Sequence, residues 1–193
     1  MSFDKEKFDQ VWIRLPVGLR THMERVRDIS IDIGQYFGLD TEKLDLAARA
    51  HDIARNINPI SLLKDAKMYN IPINPIEDAL PMLLHGPVAA QWLRREIGVD
   101  DPDIIEAVHW HSTGTINMSP TAKTILLADK LDEKKAKRYP GIEHVAILAK
   151  NSLDEALLAF FNIQFQELAK KSLPIHPSSL AARNSLLFKT LAS

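Results

Sequence analysis

There is no cysteine among the 193 residues of the chain, so neither a disulfide framework nor a thiolate metal site is open to it. Any metal must be held by imidazole and carboxylate, which excludes zinc-finger chemistry. No charge of one sign dominates: 24 Lys and Arg stand against 25 Asp and Glu, a formal net charge of -1. Without a basic tract there is no electrostatic footprint for a nucleic-acid duplex, and neither DNA nor RNA is an expected partner. Long apolar runs are missing too. None approaches the ~18 residues of a membrane span, and the start MSFDKEKFDQ lacks the basic-then-apolar pattern of a leader. The expectation is a cytoplasmic protein with no membrane contact. Repeats, low-complexity stretches and Gly/Ser linkers are absent as well, which argues against a second domain.

What the chain does have is helical punctuation. At 46% hydrophobic and 25% charged it has the profile of a globular protein able to bury a full core. Asn58-Pro59, Asn74-Pro75, Asp101-Pro102 and Ser119-Pro120 each read as an N-cap followed by Pro at the first helical position. Gly38, Gly98 and Gly114 stand where helices would close. The pattern predicts helices near 4–14, 17–37, 41–56, 59–69, 75–84, 87–97, 102–111, 120–137, 142–171 and 178–191. Few segments read as strands, so the expected fold is an all-α single-domain helical bundle over 1–193. The site-bearing helices would span about 15–137, and packing helices about 142–191, with KRYPG at 137–141 the nearest thing to a joint.

The histidines fall on the apolar faces. His22, Val26, Ile29 and Ile33 share one face of their helix, and Leu44, Ala47, Ala48, His51 and Arg55 share one of the next. His51 is followed by Asp52 within LDLAARAHDIARNI at 44–57. In DIIEAVHWH the stripe Ile104, Val108, His111 turns His111 inward and leaves His109 on another face. Asp129 extends the stripe of TAKTILLADKLDE, and His85 precedes Gly86-Pro87 at a helix junction. A lone histidine on such a stripe is commonly a core residue with one hydrogen-bond partner. Four inward histidines with Asp52 and Asp129, on five segments, are different, because burying them together is costly unless a cation joins them. One or two divalent metals answer that cost; nitrogen and oxygen donors suit iron or manganese, with zinc as an alternative. Asp52, with two oxygens, is placed to bridge two ions.

His22, the doublet His51-Asp52 and Asp129 resemble the H…HD…D signature of the HD-domain metal-dependent phosphohydrolases. LLHGPVAA at 83–90, HSTG at 111–114, ADKLD at 128–132 and the tail IHPSSLAARNSLL at 175–187 narrow the likeness. Together they are similar to the YqeK-type family of symmetrical dinucleoside-tetraphosphate hydrolases, from about Leu15 onward. The resemblance implies an α-helical HD-domain bundle with two metals, mostly iron. It makes His22, His51, Asp52, His85, His111 and Asp129 the ligands, the same six residues singled out above. The chain departs from the family where the pattern A-D-Y-I-E-P-x-R is replaced by Ala128 to Lys135, followed by a two-residue extension before Pro140-Gly141. Asp132 then stands for the family glutamate, and Lys134, Lys135 or Arg138 for the phosphate-contacting arginine. These departures bear on nucleotide preference more than on hydrolysis.

The expected activity is hydrolysis of a nucleotide phosphoanhydride, diadenosine tetraphosphate to two ADP, by a hydroxide that two divalent ions generate by lowering the pKa of water from 15.7 to roughly 7. Asp52, Arg55 and Asp132 are the expected catalytic residues. Arg55, Gly86, Ser112, Thr113, Lys134 and Arg138 are expected at the substrate, Arg55 as a guanidinium fork for phosphate and Gly86 at a helix N-terminus able to receive an anion. His109 is expected behind the ligands or in solvent, and His176 in C-terminal packing. Trp92, Trp110, Phe160 and Phe161 read as core, and Lys64 and Lys67 as a solvated face. The alternatives are a phosphatase for a mononucleotide or other phosphate ester, and a weakly active nucleotide-sensing module. A homodimer stands as one option for assembly.

Overall fold

Among residues 3–192, which the computed structural model describes, there are twelve α-helices and no strand. In chain order they are α1 (Lys5–Arg14), α2 (Val17–Gln35), α3 (Thr41–Ala50), α4 (Pro59–Met68), α5 (Pro75–Ala79), α6 (His85–Trp92), α7 (Pro102–Trp110), α8 (Pro120–Leu131), α9 (Glu133–Ala136), α10 (Ile142–Leu148), α11 (Leu153–Lys170) and α12 (Pro177–Ala192). A 3-10 turn at Pro81–Leu84 leads directly into α6, and a π turn at Leu93–Ile97 follows it. The all-α expectation is met.

Each Asn, Asp or Ser before a Pro starts a helix as expected. Asn58 accepts from the Ser61 N–H, Asn74 from Ile76 and Glu77, Asp101 from Asp103 and Ile104, and Ser119 from Ala122. Gly38, Gly98 and Gly114 all take positive φ, the left-handed conformation that closes a helix without a Cβ penalty. The axis of the bundle is α8, whose Ile125, Leu126, Leu127 and Ala128 are fully buried and against which α2, α3, α7 and α11 pack. Phe160 and Phe161 are buried in the same core, while Trp92 and Trp110 cover its edge. Lys64 and Lys67 lie on the solvent side of α4.

Four expected helices are shorter than the hydrophobic pattern suggests, each for a local reason. The helix expected over 41–56 stops at Ala50. There His51 Nδ1 donates to the Ala48 carbonyl at 2.6 Å, taking the acceptor that the Asp52 N–H would need to continue it. The chain goes on in tight turns, with Ile53 N–H bonded to Ala50 O and Arg55 N–H to Asp52 O. The 75–84 helix divides at Pro81, which has no N–H and forces Leu80 out of the helical region. The 120–137 helix breaks at Asp132, whose backbone is extended at ψ 129. The long 142–171 helix is two, because Ser152 leaves the helix and caps α11 through the Glu155 N–H.

Candidate metal centre

Three of the inward histidines occupy the cap position just after a helical segment: His51 after α3, His85 after the 3-10 turn and His111 after α7. Each donates Nδ1–H to the carbonyl three residues back, Ala48 at 2.6 Å, Met82 at 2.5 Å and Val108 at 2.8 Å. That bond holds a proton on Nδ1 and turns each Nε2 toward the interior. His22 reaches the same place from α2. Its Nδ1–H is taken by Asp132 Oδ2 at 3.1 Å, and its Nε2 lies 3.0 Å from Asp129 Oδ1.

The donors form two sets. His22, His51, Asp52 and Asp129 each offer an atom within 4.8 Å of the others, and so do Asp52, His85 and His111. Asp52 belongs to both. Its Oδ2 lies 3.5 Å from His51 Nε2 and 3.6 Å from His22 Nε2, and its Oδ1 lies 2.9 Å from His85 Nε2 and 3.3 Å from His111 Nε2. All six side chains are buried.

Two observations test whether these residues fit divalent cations. His51 Nε2 and Asp52 Oδ1 are buried with no hydrogen-bond partner, which is costly for polar atoms aimed at a shared centre. His85 Nε2 and His111 Nε2 also stand 2.9 Å apart although each ring has already placed its proton on a carbonyl. Two facing lone pairs repel unless a cation lies with them. A proton is a poor choice, because burial pushes the His111 imidazole down to about 3. The nitrogen and oxygen donors without sulfur match iron, manganese or zinc.

The carboxylates stay ionised despite their burial. Desolvation opposes the charge on Asp52, yet His51, His111 and His85 hold it well below the carboxylate range; Lys130 and Lys135 do the same for Asp129. Burial also opposes a charge on His51, but Asp52 and Asp129 outweigh it and raise the imidazole to about 9.

Above the donors a cavity of about 170 Å³ is lined by Arg55, Leu83, Ser112, Asp129, Lys130, Lys135, Arg138 and Tyr139. Arg55 Nη1 lies over the His85 ring, 3.4 Å and 3.5 Å from its two nitrogens. Ser112 Oγ is 3.1 Å from His111 Nε2. Of the basic residues considered for the family arginine, Lys135 bonds Asp129 and Arg138 lines the wall, whereas Lys134 is exposed on α9 outside the lining.

Three more of the expected site residues lie outside the cavity lining. Asp132, expected to act in catalysis, lies behind His22, accepting from its Nδ1 at 3.1 Å and from Arg25 Nε at 2.5 Å and Nη2 at 3.1 Å. Gly86 has no free helix N-terminus, since α6 continues from the 3-10 turn. It is a close-approach glycine: a Cβ there would meet the His109 carbonyl oxygen at 2.7 Å and that of Val108 at 2.9 Å. Thr113 is buried toward α12, its carbonyl accepting from Ser179 Oγ. His109 joins neither donor set; burial pushes it down to about 4. His176 packs in the C-terminal region against Glu77, as expected.

Residues the sequence reading missed are Arg25, Lys130, Leu83 and Tyr139. Arg25 follows His22 by one turn, so spacing alone puts the two on one face. Lys130 is buried, its Nζ 2.8 Å from Asp129 Oδ2, which no periodicity would suggest for a lysine.

Comparison with known proteins agrees with this geometry. The HD domain family model matches residues 19–134. The chain is 35% identical over 170 residues to the symmetrical bis(5'-nucleosyl)-tetraphosphatase of Halalkalibacterium halodurans, covering 87% of this chain and 88% of that one. It is 31% identical over 166 residues to the Bacillus subtilis protein of the same name, covering 86% and 88%. A crystal structure from Clostridium acetobutylicum, described as a predicted HD superfamily hydrolase involved in NAD metabolism, superposes with a TM-score of 0.87 at 25% identity, covering 95% of this chain and 96% of that one. The chain therefore belongs to the HD domain family, within its YqeK-type group, and is a metal-dependent phosphohydrolase.

Proposed function

We propose that the protein cleaves diadenosine tetraphosphate symmetrically into two ADP, using two divalent cations, iron first among the candidates. His22, His51, Asp52 and Asp129 would hold one ion and Asp52, His85 and His111 the other. The observation that carries this reading is the sharing of Asp52 by two buried donor sets beneath a cavity walled by Arg55, Lys130, Lys135 and Arg138. Four cationic side chains around so small a space suit a chain of phosphates, and the names of the relatives supply the nucleotide. Bound there, the ions would lower the pKa of a water to roughly 7 and draw charge from the phosphoryl oxygens.

The remaining tasks fall to the chain. Arg55, lying across the His85 ring, has donors left for a phosphate next to the reacting one. Lys135 and Arg138, in the same lining, would neutralise polyphosphate charge, and Leu83 and Tyr139 supply apolar surface beside them. In balance, the oxygen of one water joins one central phosphorus, the bond from that phosphorus to the bridging oxygen breaks, the bridging oxygen leaves on the other central phosphorus, and each nucleoside departs with two phosphates. The test is protein reconstituted anaerobically with ferrous iron, and in parallel with manganese or zinc, then given diadenosine tetraphosphate. ADP as the sole nucleotide product supports the proposal. ATP with AMP, or inactivity toward the dinucleotide in every metal form, overturns it, and phosphate released from a mononucleotide instead favours the phosphatase reading.

A further inference from the structure

The turn at 111–114 has two sides. On one, His111 and Ser112 face the metal centre, with Ser112 Oγ 3.1 Å from His111 Nε2 and 3.4 Å from His85 Nε2. On the other, Thr113 and Gly114 are buried against the C-terminal helices: a Cβ on Gly114 would stand 2.8 Å from Phe161 Cζ, and the Thr113 carbonyl accepts from Ser179 Oγ at 2.6 Å. This last bond joins residues 66 apart in sequence. Ser179 is the third residue of α12, whose terminus is capped by the ring of His176 just before it. Its Nδ1 accepts the Ser178 N–H at 3.2 Å, and its Nε2 faces the buried Glu77 carboxylate at 3.3 Å. The Ser179 hydroxyl is thereby left to fasten the active-site turn.

From this geometry we infer that Ser179 is a positioning residue: through the Thr113 carbonyl it holds the Ser112 hydroxyl beside His85 and His111, where Ser112 Oγ serves as a fourth donor to the set those two form with Asp52. The two donor sets are unequal without it, since one has four side chains and the other three. A hydroxyl close to both imidazole Nε2 atoms evens them, and the adjoining peptide group is fixed by the buried Ser179 side chain of α12. The inference rests on the dimetal reading of the site.

The test is manganese binding to the full chain, followed by calorimetry and by electron paramagnetic resonance. The wild type should show two binding events. Ser179→Ala should weaken one of them about tenfold, the low end of what outer partners of a metal ligand are worth, and leave the other alone. Ser112→Ala should weaken the same event, Ser179→Thr should restore it, and the double variant should be no weaker than Ser112→Ala, because both act along one path. Additive losses, or Ser179→Ala indistinguishable from wild type, overturn the inference while leaving the metal reading intact. No binding to the wild type removes the metal reading itself. Should Ser179→Ala fail to fold, Ser179→Cys, a weaker donor, is measured in its place and should fall between wild type and Ser112→Ala; a value equal to wild type overturns the inference.

Discussion

Replacing Asp132 by Asn separates a residue that orients a ligand from one that acts on substrate. The carboxylate is 1% exposed and accepts three bonds, from His22 Nδ1 at 3.1 Å and from Arg25 Nε and Nη2 at 2.5 Å and 3.1 Å. Asparagine keeps the shape but loses the charge, and its amide can turn N–H groups toward His22. The imidazole would then move its proton to Nε2, the atom that faces Asp129 and Asp52. Loss of an outer partner of this kind costs roughly 10–100-fold in metal affinity, about 1.4–2.7 kcal/mol. The cost should fall on the set containing His22 alone, because Asp132 touches no residue of the Asp52, His85, His111 set. Arg25 also loses a charge-assisted partner, worth about 1.5 kcal/mol of fold stability at this partly exposed position.

Two measurements check this. Manganese titration of Asp132→Asn should show one event weakened and one unchanged, and urea unfolding in the presence of chelator should show the smaller loss of stability. Asp132→Glu, which restores the residue type of the family pattern, should bind like wild type. A variant with both binding events intact but the turnover number collapsed would refute the reasoning and return Asp132 to the catalytic groups. Equal weakening of both events would refute it as well, since it would mean a general distortion.

Other expectations follow from the same geometry. Metal binding must strip the proton that Asp52 and Asp129 hold on His51, raised to about 9, so titrations near pH 7 in buffers of different ionisation enthalpy should record about one proton released per chain; none released would place His51 outside the ligands. Gly86→Ala should push α6 from α7 and cost about 1–3 kcal/mol in chemical denaturation, with His85 and His111 drawn apart. Arg55→Ala should raise KM for the dinucleotide with metal content unchanged, and Arg55→Lys should recover little, since a bidentate fork is lost. Burial opposes the Glu77 charge, but His176 and the Asn74 N–H outweigh it and lower the carboxyl from 4.5. Its contribution to stability is complete above that value and lost as pH falls through the folded pKa, so Glu77→Gln should flatten the acid limb of an unfolding curve.

How far the site could be read from sequence depended on where each ligand sits in its helix. His22 and Asp129 lie within the bodies of α2 and α8, and the 3.6-residue period points them inward without further knowledge. Their partners were harder. Asp132 looks like a continuation of the Asp129 stripe, and its true place behind His22 follows only from the break in the backbone at that residue. The same break makes α9 a separate four-residue helix, which is why Lys135 rather than Lys134 meets Asp129. Periodicity carried across 120–137 could not distinguish them. Lys130 was invisible for the opposite reason, since charge argues for solvent until a buried carboxylate is seen beside it.

The end-of-helix histidines show why a tertiary site can still leave a trace in local sequence. A helix C-terminus has unsatisfied carbonyls and a partial negative charge. A histidine there can give Nδ1–H to one of those carbonyls and so present Nε2 with a lone pair, while the helix end itself favours a nearby cation. His51 on α3 and His111 on α7 both use this arrangement, and each bond to a carbonyl also ends the helix that carries it. Ending the helix and turning Nε2 toward the donor cluster are therefore one event here, which explains why no Gly or Pro is needed to stop α3 after Ala50. It follows that His51→Ala should both remove a ligand and let α3 extend toward Asn56. Added helical signal in the metal-free variant, set against the wild type by backbone chemical shifts over residues 48–56, would support that coupling, and an unaltered turn would show that Asp52 and its neighbours, not the His51 bond, end the helix.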